Sequence, residues 1–178
     1  MVTIPRTAVV VTLIAAAIGQ SGGSAWAGDA ECKAVLDAVT KQTTVPVRQK
    51  MEMESTQAPG RKMQSELVRI GDTLYMQLAG QWHKRPYDAA KTVADAQEAM
   101  RKSNHSCEKV RRETVNGEAA DLYKVHSEGP QGTSDAEIWL SVASGLPLRQ
   151  HTQMTPPSGA KMQHDVTYEY SNVKAPIP

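Results

Sequence analysis

The sequence predicts an α+β fold: a curved antiparallel sheet, an open half-barrel, with helices covering its concave face. Three observations predict it. Short apolar/polar alternations, the period of half-buried strands, recur along most of the chain. Turn dipeptides separate them: Gly71-Asp72, Asn116-Gly117 and Ser144-Gly145. Two stretches carry helical spacing instead, one near the N-terminus and one in the middle of the chain.

The clearest hairpin runs from Asp135 to Gln150. Ile138, Leu140 and Val142 alternate with Glu137, Trp139 and Ser141, and Leu146 and Leu148 resume the pattern after the turn. Upstream, Asp29 to Lys41 reads as an amphipathic helix with Cys32, Val35, Leu36 and Val39 on one face and Asp29 as its cap. Pro46 ends it. Val47 to Gln57 alternates, with Val47, Met51 and Met53 on one side and Arg48, Lys50, Glu52 and Glu54 on the other. Arg61 to Ile70 and Thr73 to Ala79 form the next hairpin, with Leu74, Met76 and Leu78 inward.

Gly80 to His83 reads as the end of that strand, and Pro86 as the hinge to a second helix that starts at Tyr87 or Asp88. This helix, AAKTVADAQEAMRK, has a weak apolar stripe and reads as a cover, not a core element. Lys109 to Val115 pairs with Glu118 to Ser127, and Glu128 to Ser134 reads as a polar loop. Lys161 to Asn172 is the closing strand, and the tail from Ala175 leaves the sheet. The sum is a helix, three strands, a helix and about five strands. A sheet wrapped round a single helix is the other arrangement this order permits.

Residues 1–27 read as an export leader. Arg6 supplies the positive start, Thr7 to Gly19 the apolar stretch, and Ala25-Trp26-Ala27 the cleavage site. That stretch is shorter than the ~20 residues needed to span a bilayer. The expected product is one periplasmic domain, 28–178, exported by the general secretory route with no stable membrane insertion. The chain has 20 basic and 19 acidic side chains, and the leader removes one basic residue, so the mature charges balance. Nucleic acid is thereby disfavoured as a partner, because phosphate binding needs a basic excess. Cys32 and Cys107, an even pair in an oxidising compartment, are expected to form a disulfide.

No G-x-S-x-G, H-E-x-x-H, G-x-G-x-x-G or P-loop motif is present, and the five histidines are scattered. His164-Asp165 resembles a dyad, but strand neighbours point to opposite faces. No enzyme activity and no cofactor are expected. The methionines admit three readings in a chain with no Phe: Cu(I) ligands together with histidine, lining of an apolar pocket, or core filling. Tight Met/His clusters of the copper type are absent from the sequence, so no metal is expected and lining and filling are preferred.

The run LVRIGDTLYMQLAGQWHKRP, the later AEIWLSVASGLPLRQH and the closing VTYEYSNVKAPIP resemble, in the same order, the hairpins and last strand of the LolA/LolB-like family of lipoprotein carriers and its mycobacterial relatives. The resemblance implies a half-barrel under a helical lid in a periplasmic or envelope protein, with a lipid or acyl chain held between sheet and lid. In such a cavity the alternation assigns Met51, Met53, Leu74, Met76 and Leu78 to the lining. Trp82, Lys84 and Arg85 are expected at the rim, where a cationic, amphipathic edge suits an anionic head group. The expected partner is a lipid or other apolar small molecule, or an envelope protein, bound by a monomer. The alternative is a protein-interaction or envelope-sensing module of the same fold with a filled core.

Overall fold

The computed structural model describes residues 29–177. The leader over 1–27, its cleavage after Ala27, the mature start at Gly28 and the Asp29 side chain lie outside the described residues. The elements run α1 (Asp29–Gln42), β1 (Val47–Ser55), β2 (Lys62–Ile70), β3 (Thr73–Leu78), β4 (Gln81–Pro86), α2 (Ala89–Lys102), β5 (Asn104–Val115), β6 (Glu118–Gly129), β7 (Gly132–Ser141), β8 (Pro147–Thr155) and β9 (Met162–Glu169).

Among the described residues the strands form a single antiparallel sheet in the order β4-β3-β2-β1-β9-β8-β7-β6-β5. Every neighbour pair except β1 with β9 is a hairpin, so that one non-local pairing joins the two halves. The edge strands β4 and β5 do not pair, and the sheet stays open. The α2 helix is the connection between these two edges.

The turns follow from local chemistry. Asn116 and Gly117 both take positive φ, 52° and 84°, as a two-residue hairpin turn requires. At Gly132 a Cβ would lie 2.1 Å from the Thr155 carbonyl oxygen, so only glycine fits between the start of β7 and the end of β8.

Three expectations about the chain path are corrected. Gln81–Pro86 is a strand of its own, paired with β3. A charged strand that ends in proline is tolerated there because β4 is an edge. Glu128 to Ser134 is not a loop: β6 and β7 extend through it to the Gly129↔Gly132 pair. Val142 lies beyond β7 and is 44 % exposed, whereas Trp139 and Ser141, expected to be on the wetter side, are buried.

That last correction has a packing cause. The α1 helix covers one face of the sheet, where Ala38 meets Tyr123 and Leu140 with Ala34, Val35 and Ile138 around them. The other face has a small core of its own, in which Ala120, Leu122, Trp139 and Leu148 pack together with Val115 from the end of β5. β7 is therefore buried on both sides. We call the helix-covered face inner and its opposite outer.

α1 is fastened at both ends. Cys32 forms a disulfide with Cys107 of edge strand β5. Beyond its last turn, the Arg69 guanidinium donates to the carbonyls of Gln42 and Val45 and stacks 5.0 Å from the Tyr87 ring centroid. Arg69 is 4 % exposed, and burial lowers its pKa. The buried arginine thus ties the last residue of α1 and the Val45 carbonyl after it to β2. α2 begins at Asp88, whose side chain accepts from the Lys91 N–H at 2.8 Å. None of its residues is buried.

Candidate functional site

The register decides which side chains share the inner face, because paired residues project to the same side. Leu74 pairs with Arg69, Met76 with Leu67, Met51 with both Ser65 and Val166, and Met53 with both Met63 and His164. Alternation along β3 adds Leu78. The five residues assigned to a lining therefore share the inner face. They are not equally enclosed. Leu74 is buried, Met51, Met53 and Met76 are half-buried, and Leu78 is 52 % exposed.

A cavity of about 150 Å³ lies where α1 and the start of α2 meet the sheet, lined by Val39, Gln42, Leu67, Arg69, Leu74 and Tyr87. Leu74 is the one member of the five in its wall. A wider inner groove of about 430 Å³ runs along α1 beside Asp37, Lys41, Arg112 and Asp121. There Arg112, with Lys109 beside it, holds the Asp121 carboxyl at about 2. On the same face Tyr168 donates to Gln150 Oε1 at 3.0 Å, and burial pushes its hydroxyl up to about 12.

A larger concavity lies elsewhere. An outer groove of about 900 Å³ is bounded by Lys50, Glu52, Glu66, Glu113, Trp139 and Arg149, and Met51 adjoins it. Its charged groups are already engaged. Arg149 stacks 5.0 Å from the Trp139 ring, and the Trp139 indole N–H donates to Glu113. That contact, with Arg111, holds the Glu113 carboxyl below the usual range. Asp165 is 3.0 Å from His151 Nδ1 and 3.7 Å from Arg149. His164 and Asp165 indeed diverge: Asp165 joins this outer network while His164 lies on the inner face.

Alternation divides the rim residues. Trp82 and Lys84 pair with Gln77 and Tyr75 on the outer side, and Lys84 Nζ lies 5.9 Å from the Tyr75 ring. Arg85 pairs with Leu74 and is on the inner side. The two cations of the expected rim, Lys84 and Arg85, thus project to different faces, because neighbours in a strand face opposite ways. Two buried residues of consequence, Arg69 and Trp139, stand out in the sequence only as strand positions. The signal for Arg69 was a lone arginine on the apolar side of a strand pattern, opposite Leu74.

Among the described residues no group of three or more His, Cys, Asp or Glu is placed to hold a metal ion, and no helix is long and apolar enough to cross a membrane.

The sequence matches no protein-family model and no curated protein. Solved structures do resemble the fold. The chain is similar to the Pseudomonas aeruginosa MucA/MucB complex at 13 % identity and a TM-score of 0.48, covering 83 % of this chain and 59 % of the matched one. It therefore spans about three fifths of that protein's length. It is similar to LprF from Mycobacterium bovis at 12 % identity and a TM-score of 0.43, covering 85 % of this chain and 96 % of that one. A LolA superfamily protein from Nitrosomonas europaea aligns at 10 % identity and a TM-score of 0.26, over 80 % of this chain and 94 % of that one.

Proposed function

We propose that this protein is a non-enzymatic binder or carrier of an apolar ligand, a lipid or acyl chain, acting in the periplasm after export. One observation carries the reading. α2 links the two unpaired edges of the sheet with none of its residues buried, while an apolar inner face of Met51, Met53, Leu67 and Met76 remains half-covered. A helix held by so little burial costs little to displace.

Displacement is required. The 150 Å³ cavity is below the ~300–1,000 Å³ of ordinary ligand sites, so an acyl chain enters by lifting α2 about Tyr87 and Ser103. Each buried methylene then returns ~0.8 kcal/mol. Exposed Leu78 and Met63 extend the apolar surface past the helices. Binding is tested by displacement of a fluorescent fatty acid. Met53→Gln with Met76→Gln should weaken it severalfold, and equal binding by wild type and variant would remove these residues from the site.

A second reading has its own support. The groove of about 900 Å³ is outer and charged, which suits a protein or envelope partner on that face and a filled interior. In that case the fatty acid does not bind, and Arg149→Gln weakens partner binding without changing the inner face.

A further inference from the structure

We propose that Met53, Met154, Met162 and His164 form a site for a soft monovalent cation, Cu(I) or Ag(I), on the inner face of the sheet. The sequence scatters these residues over three strands; the register gathers them. His164 stands directly opposite Met53 on β1. Met162 is two residues before His164 on the same strand and face, and Met154 is directly opposite Met162 on β8. Side chains directly opposite have Cβ atoms about 4.5–5.5 Å apart, and diagonal ones about 7–8 Å. Methionine, with three rotatable side-chain bonds, bridges such spacings without moving backbone.

The donor set is chemically selective. Three thioethers and one imidazole suit Cu(I) and its analogue Ag(I), not Ca(II) or Mg(II), which take oxygen. The surroundings admit a cation. Inner-face positions of β1, β8 and β9 hold Val47, Gln49, Met51, Ser55, Gln150, Thr152, Val166 and Tyr168, with no Lys or Arg among them. The His126 and His151 rings are each engaged by an aspartate, whereas among the described residues no hydrogen bond occupies the His164 ring.

Core filling does not account for these methionines. All six on strands (Met51, Met53, Met63, Met76, Met154 and Met162) lie on the inner face, and none belongs to the buried core.

The test uses the mature, disulfide-intact protein and Ag(I), which needs no reductant that would open Cys32–Cys107. Native mass spectrometry should show one Ag(I) per chain. In spectra of ¹³C-methyl-labelled methionine, the signals of Met53, Met154 and Met162 should move while those of Met76 and Met100 stay. Met154→Leu with Met162→Leu, and separately His164→Gln, should each weaken binding about tenfold or more. The leucines keep the face apolar, so fatty-acid displacement should be unchanged in that variant, and this proposal fails or stands apart from the carrier reading. No bound Ag(I), binding that both variants leave unchanged, or shifts confined to Met76 and Met100 would overturn it.

Discussion

Cys32 of α1 and Cys107 of β5 are joined with their Cα atoms 5.1 Å apart, 75 residues apart in sequence. The bond ties the first helix to an edge strand across α2 and the whole β1–β4 half of the sheet. Closing a loop of that length stabilises by roughly 4 kcal/mol in the chain-entropy account. Reduction should lower the melting temperature, and Cys32→Ser alone should cost nearly as much as the double serine variant. Thiol titration of the protein purified without reductant checks the pairing: two reactive thiols would contradict it.

Arg69 gives a second prediction. Its charge-assisted hydrogen bonds hold the chain just after α1, so Arg69→Met should destabilise by about 1.5–3 kcal/mol in urea unfolding. Amide exchange at Thr43 to Val45 should rise with it. A variant within ~0.5 kcal/mol of wild type would make the contact incidental.

Acid stability is a third. Asp121 sits at about 2 in the fold against ~3.9 in an unfolded chain, so the ionised carboxylate favours folding. That contribution is complete above about pH 4 and disappears as the pH falls through 2. Thermal melts across this window should therefore fall less steeply for Asp121→Asn than for wild type. Identical slopes would show that other carboxylates set the acid limit.

Because Arg85 faces inward and Lys84 outward, the rim separates into two tests. Arg85→Gln should weaken binding of an anionic apolar ligand at low salt, and Lys84→Gln should not. Both should leave stability within ~0.5 kcal/mol. Equal effects of the two, or none, would remove the rim from ligand recognition.

Hairpins were legible in the sequence wherever alternation met a turn dipeptide, as at Asn116-Gly117 and Ser144-Gly145, and α2 was legible from its spacing and Asp88. β4 was not, because Gln-Trp-His-Lys-Arg-Pro carries no apolar alternation and exists as a strand only through β3. Burial of Trp139 was not either, since it depends on Val115 packing over the outer face. Inward placement of Met51, Met53, Leu74, Met76 and Leu78 followed from period two alone. How far each is enclosed did not, because that depends on where two helices rest. The neighbours of His164 were hidden for a related reason: β1 and β9 lie more than a hundred residues apart in the chain and meet only in the sheet.

The most direct measurement of the central claim is native mass spectrometry of the protein purified from periplasm without detergent. The carrier account predicts a population heavier than the bare mature chain by the mass of a lipid or fatty acid, released on unfolding. Only the bare chain mass, together with no displacement of a fluorescent fatty acid, would contradict it.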